Sequence, residues 1–217
     1  MPDFALQRRM MVDGQLRTYD VTEPRLIAAM DEVPRERFVA DPATAYLDRP
    51  VAMAAGSDRR IMTPMVFARL VQSAAPTATE SVLSVGAGTG YGAAVLARLA
   101  ARVVALEADP ALSGLAGATL ASLGVQNVTV VTGPLNAGHA ASQPYDVIVV
   151  EGAVEVEPTQ LLGQLAQGGR MVCVVGRGRA GQATLFTRTG EVTGQRTVTE
   201  AAAPLLPGFA REAAFVF

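Results

Sequence analysis

Apolar positions along the chain follow two different rhythms. Over the first third they recur at helical spacing. Phe4, Leu6, Met10 and Met11, set among Gln7, Arg8, Arg9 and Asp13, predict a short amphipathic helix within residues 3–19 that ends near Gly14. Thr22-Glu23-Pro24 reads as a second helix start, with Thr22 as the cap and Pro24 in the first turn. Leu26, Ile27, Met30 and Val33 then share one face, and Pro34 stops the helix. A third helix begins at Thr63-Pro64, its apolar face formed by Met65, Phe67, Ala68, Val71 and Ala74. Between the second and third helices, residues 35–60 are charged and lack a clear period, so they read as a loop-rich lid or connector.

From residue 81 the rhythm changes to short apolar runs alternating with helical stretches. Ser81–Val85, Arg102–Leu106, Asn127–Val131, Tyr145–Val150 and Arg170–Val175 read as strands. Residues 90–100, 110–122 and 158–166 read as the helices between them. Tyr145–Val150 is apolar throughout, as a strand covered on both faces requires. Strict alternation of this kind predicts an α/β fold: a mostly parallel, doubly wound sheet with helices on both faces. The end of the chain departs from it. Gln182–Arg188, Glu191–Thr199 and Arg211–Phe217 follow one another as strands around a turn at Gly190, which predicts an antiparallel C-terminal edge. The chain thus divides into an N-terminal helical segment and lid, residues 1–76, and a sheet domain, residues 77–217, expected to pack as one unit.

Composition narrows the functional classes. At 217 residues the chain is long enough for a sizeable core, and with 50% hydrophobic but only 5% aromatic residues that core must be built from Ala, Val and Leu. A net charge of -2 and only short basic pairs, Arg8-Arg9 and Arg59-Arg60, argue against nucleic acid as a partner. The single cysteine, Cys173, excludes an intramolecular disulfide, and no apolar run is long enough for a membrane span. The start of the chain has no basic-then-apolar leader, so a cytoplasmic setting is expected. One histidine, His139 in a polar loop, and one cysteine leave no metal-ligand cluster.

The chemistry concentrates at Ser81-Val-Leu-Ser-Val-Gly-Ala-Gly-Thr-Gly-Tyr-Gly92. A strand running through Gly86, Ala87, Gly88, Thr89 and Gly90 into a helix is a ligand cradle, because glycine lets backbone N–H groups approach a ligand closely. The dinucleotide pattern G-x-G-x-x-G fits poorly, since its third glycine position is Tyr91 and the glycine stands at Gly90. No Lys-Ser/Thr pair follows, which excludes a phosphate P-loop. Glu107, with Ala108 beside it, closes the second strand 21 residues beyond Gly86, the placement that suits the hydroxyls of a ribose and repels a 2′-phosphate. Gly133–Leu135 and Glu151–Gly152 also fall at carboxyl ends of strands, where open α/β sheets bind ligands.

Val82-Leu-Ser-Val-Gly-Ala-Gly-Thr-Gly-Tyr91 resembles the first motif of class I S-adenosylmethionine-dependent methyltransferases, a Rossmann-like fold. More narrowly, the chain resembles the protein-L-isoaspartate O-methyltransferases. Val33-Pro-Arg-Glu-Arg-Phe-Val39 with Ala45-Tyr-Leu-Asp48, Gly88–Ala97, Leu123-Gly-Val-Gln-Asn-Val128, Pro144-Tyr-Asp-Val-Ile-Val149 and Gln164–Val172 carry that likeness in order. The resemblance implies S-adenosyl-L-methionine as cofactor, no metal, and methylation of the carboxylate of isoaspartyl residues in damaged protein or peptide substrates. It implies cofactor contacts from Gly86, Ala87, Gly88, Thr89, Gly90, Glu107, Ala108, Gly133, Leu135 and Glu151.

Three positions depart from the family pattern. The lid serine of the family's Ile-Ser-x-Pro stretch is replaced by Met62 in Ile61-Met-Thr-Pro64; Thr63 offers a hydroxyl one residue along, or caps the helix that begins at Pro64. The Gly-Asp after the third strand is Gly133-Pro134, which removes an acid and a backbone donor and leaves adenine to Leu135. Glu151 stands where a small or hydroxyl residue is usual, and it would repel an acceptor carboxylate unless protonated or paired; it can also face solvent or favour the cationic sulfonium. Arg35 and Arg37 are candidate carboxylate forks, or members of a salt-bridged loop. These departures leave two alternatives open: a methyltransferase of the same fold with another acceptor, and a non-catalytic cofactor-binding protein.

Overall fold

The computed structural model describes residues 2–211. After two short strands, β1 (Val51–Ala52) and β2 (Arg60–Ile61), seven strands form one sheet: β3 (Ser81–Val85), β4 (Arg102–Glu107), β5 (Val128–Thr132), β6 (Tyr145–Val154), β7 (Leu165–Val175), β8 (Gln182–Thr189) and β9 (Val192–Glu200). Their order across it is β5-β4-β3-β6-β7-β8-β9. β5, β4, β3, β6 and β7 run parallel, whereas β8 and β9 add an antiparallel edge. The order reverses between β3 and β6, and that switch point is where ligands enter a doubly wound sheet. The third C-terminal strand expected from the sequence falls, beyond Arg211, outside the described residues.

Side chains alternate across the sheet with the two-residue period of a strand. Val82, Val103, Ala105, Val147, Val149, Val172 and Val174 face one core. Leu83, Val85, Val104, Leu106, Ile148, Val150, Met171 and Cys173 face the other. The first core also takes in the N-terminal helices α1 (Phe4–Met11), α2 (Pro24–Glu32) and α3 (Pro64–Ala74), together with α4 (Tyr91–Leu96) and α5 (Pro110–Ser122). The second is closed by α6 (Thr159–Leu162) and by Leu206 and Phe209. Arg170 ties the layers: its guanidinium bridges Glu80, just before β3, and the carbonyls of Ala74 and Ala75 at the end of α3.

Several elements differ from expectation. The first helix is not regular to Gly14; after Met11 the chain widens into a π turn over Val12–Leu16 and tightens again over Arg17–Tyr19. Glu23, not Thr22, caps α2 through the Arg25 N–H, and Gln72 accepts from the backbone N–H groups of Thr22 and Glu23. The helix expected at 158–166 is a single turn, since β7 already begins at Leu165. β6 does not stop at Val150. It continues through Val154 because Ala153 donates to Pro204 O and accepts from Leu206 N, pairing that replaces a turn. Between Val149 and Ala153 the β6–β7 register shifts, so Glu151 sits in a bulge, a device that re-aims a side chain.

The lid contains a small antiparallel hairpin, β1 (Val51–Ala52) with β2 (Arg60–Ile61). It leads directly into Met62, Thr63 and α3.

Candidate active site

Three glycines make the turn out of β3. Gly86, Gly88 and Gly90 have φ of +78°, +56° and +95°, a region that side chains rarely adopt. The whole stretch Gly86–Gly90 is buried. Thr89 does not turn its hydroxyl outward; it donates to the Phe38 carbonyl at 2.5 Å, tying the lid-side turn Arg35–Phe38 to the glycine loop.

Glu107, fully buried, is the electrostatic centre of the site. Its Oε2 accepts from Gly88 N at 2.7 Å, and its Oε1 from Ala108 N at 2.8 Å and Asp109 N at 3.1 Å. The strand end, the glycine loop and the next helix start are therefore pinned to one carboxylate. Arg59, from the hairpin, reaches the same carboxylate with both Nη atoms, at 2.5 and 3.0 Å. Gly133 closes the neighbouring strand end by donating to the Glu107 carbonyl, and Leu135 is buried in the second core.

Glu151 lies across the switch point, 5% exposed, and does not face solvent. Ser84 Oγ donates to it, and it packs against the backbone of Gly92. Burial pushes its pKa up to about 8, helped by the charge of Glu107 and opposed by the Ser84 hydrogen bond, Arg35 and Arg59. Near pH 7 it is mainly the neutral acid, which removes the like-charge conflict with an acceptor carboxylate.

Arg35 is not a substrate fork. Its side chain is fully buried, donating to Ala45 O at 2.8 Å and Met62 O at 2.6 Å, with the guanidinium 4.6 Å from the centre of the Tyr91 ring. Phe38 and Phe67 pack against the same ring. The Val33–Val39 motif is thus a clamp that fixes the backbone of Met62 relative to the glycine loop. Arg37 is exposed and bonds Ser122.

Met62 is buried, with its carbonyl held by Arg35. Thr63 occupies the cap position of α3, but its side chain makes no capping bond; Pro64 fills the first helical position and Phe67 N bonds the Thr63 carbonyl. The hydroxyl is left buried without a partner, as are Arg35 Nη1 and Tyr91 Oη. Thr63 borders an open surface groove of about 420 Å³ with Asp48, Met65, Val66, Gly178 and Glu200. His139 stands apart, its backbone N–H taken by Gln164. The sequence reading missed Arg59, visible there only as half of a basic pair. It also missed Met53 and Leu206, whose side chains lie over Gly88 and Gly86.

A glycine turn at the switch point, an acid at the end of the neighbouring strand and a parallel sheet with an antiparallel edge define a class I S-adenosylmethionine-dependent methyltransferase. The profile of the family described as Protein-L-isoaspartate(D-aspartate) O-methyltransferase matches residues 7–203. The chain belongs to that family. It is 43% identical over 178 residues to the protein-L-isoaspartate O-methyltransferase of Methanoregula boonei, covering 81% of each chain. It is 40% identical over 199 residues to that of Gloeobacter violaceus, covering 90% of this chain and 96% of the relative. A solved protein-L-isoaspartate O-methyltransferase superposes with a TM-score of 0.82 at 25% identity, over 93% of this chain and 66% of the other. A Plasmodium falciparum structure described as a protein in complex with S-adenosyl-L-homocysteine shares the fold, with a TM-score of 0.77 at 15% identity over 92% of this chain and 97% of the other.

Proposed function

We propose that the protein methylates the carboxylate of L-isoaspartyl residues in damaged proteins or peptides, with S-adenosyl-L-methionine as methyl donor. The observation that carries this reading is the family match over residues 7–203, which takes in both the glycine loop and the lid. The residues present fit the cofactor: three glycines at positive φ leave the loop backbone without side chains of its own, and the Glu107 carboxylate is fixed at the loop by Gly88 N. Gly86, Ala87, Gly88, Thr89 and Gly90 supply loop backbone, Glu107 with Ala108 takes the ribose hydroxyls, and Gly133 with Leu135 borders the adenine. When bound, the cofactor supplies a methyl group on a cationic sulfur.

The acceptor carboxylate is already ionised near pH 7, so the transfer needs no general base. What the chain must do is align the reactants and keep water out. The Arg35 clamp supports this by holding the Met62–Thr63 backbone against the glycine loop. Thr63, which borders a surface groove and carries a buried hydroxyl without a partner, is the proposed contact to the acceptor. Glu151, neutral near pH 7, leaves an anionic acceptor unopposed. Damaged protein or peptide is the proposed partner and the cytoplasm the proposed setting; no described helix is long and apolar enough to cross a membrane.

A second reading is favoured by Met62, which puts an apolar side chain where the family has serine: the same methyl chemistry on another acceptor. Incubation with the cofactor and matched isoaspartyl, aspartyl and amine-bearing peptides separates the two. Methyl ester confined to the isoaspartyl peptide supports the first; transfer to amine or hydroxyl groups alone supports the second.

A further inference from the structure

We propose that Arg59 is an internal competitor for the ribose-binding edge of Glu107, and that it sets the strength of cofactor binding. The inference rests on the cofactor reading above and goes beyond it. Five donors converge on the Glu107 carboxylate: Gly88 N, Ala108 N and Asp109 N, and the two Nη atoms of Arg59. Three of them belong to the rigid frame of β4, the glycine loop and the start of α5. Only Arg59 arrives from outside that frame, on a hairpin whose two strands are paired at two positions.

The guanidinium presents two parallel N–H donors, one to each carboxylate oxygen. A ribose diol presents two O–H donors to the same pair of oxygens. With Arg59 Nη1, Ala108 N and Asp109 N on Oε1 and Arg59 Nη2 and Gly88 N on Oε2, the carboxylate has no acceptor capacity for a further pair of donors while Arg59 is in place. The two forks are mutually exclusive. Two other side chains lie on the same loop. Met53, on the same hairpin, lies where a side chain on Gly88 would begin, and Leu206 packs 2.9 Å from the corresponding point on Gly86. Arg59 Nη2 also approaches the Gly86 carbonyl at 3.4 Å. The chain's own side chains thus cover the ligand face of the glycine loop.

The exchange is energetically reasonable. Glu107 keeps three backbone donors when Arg59 leaves, and Arg59, already 15% exposed, moves into water. The apparent affinity for cofactor is then the intrinsic one reduced by the fraction of molecules in which Arg59 is withdrawn.

Calorimetric titration of S-adenosylhomocysteine into the full chain tests this. Arg59→Gln and Arg59→Met are expected to bind about tenfold more tightly than the unmodified protein, with Arg59→Lys, which keeps the charge but loses the fork, in between. Circular dichroism confirms that each variant is folded, and Arg59→Lys serves if the neutral variants are not. Equal or weaker affinity in the folded variants overturns the proposal and leaves the cofactor reading intact. Absence of binding in the unmodified protein and in every variant overturns both.

Discussion

Gly92 and Glu151 share one volume. A Cβ added to Gly92 would overlap the Glu151 carboxylate, which lies buried against this first turn of α4. Gly92 has an ordinary helical backbone, so space rather than conformation demands glycine there. Gly92→Ala is expected to cost about 1–3 kcal/mol, the usual penalty of overpacking a filled core. The same change in a Glu151→Ala background should cost much less, because the overlapping group is gone. A double-mutant cycle by chemical denaturation reads the coupling; additive penalties would mean that the carboxylate turns aside without cost.

Glu151 also makes stability depend on pH. Its folded pKa of about 8 lies above the ordinary 4.5, so between those values the folded state holds a proton that the unfolded chain has released. Stability therefore falls as pH rises through this window and is flat outside it as far as this group is concerned. Glu151→Gln keeps an acceptor for Ser84 and removes the titration. The variant should lose the decline and exceed the unmodified protein at pH 8.5 by as much as about 4 kcal/mol. Melting curves across pH 5–8.5 check this, and parallel curves would contradict it.

Thr63 carries a buried hydroxyl without a partner. Thr63→Val removes that group at nearly constant shape, so the melting temperature should hold or rise, by the equivalent of about 1 kcal/mol. If the hydroxyl meets the acceptor, methyl transfer falls at least about tenfold while cofactor affinity is unchanged. Loss of stability with full activity would assign Thr63 to the fold alone.

The centre of the sheet was legible in the sequence because β3, β4 and β6 are apolar on both faces, and the glycine loop because only glycine tolerates its backbone. Glu107 was legible from its distance along the chain. Arg35 was not: a charged residue after a proline reads as surface, and only long-range contacts with Ala45, Met62 and Tyr91 explain its burial. The continuation of β6 through Glu151 and Gly152 was hidden for a related reason. A charge followed by glycine looks like a strand end, and the pairing that sustains it comes from Val174 and Val175 of β7 and from Pro204 and Leu206, some fifty residues away. Arg59 looked like half of a solvated basic pair, yet Arg60 is exposed and Arg59 is turned inward to Glu107.

Methyl transfer from labelled S-adenosylmethionine to an isoaspartyl peptide, beside the same peptide with ordinary aspartate, reads the proposed activity itself. A base-labile methyl ester is expected on the isoaspartyl peptide and none on the control. A folded protein that binds S-adenosylhomocysteine yet forms no ester above background on the isoaspartyl peptide would contradict it.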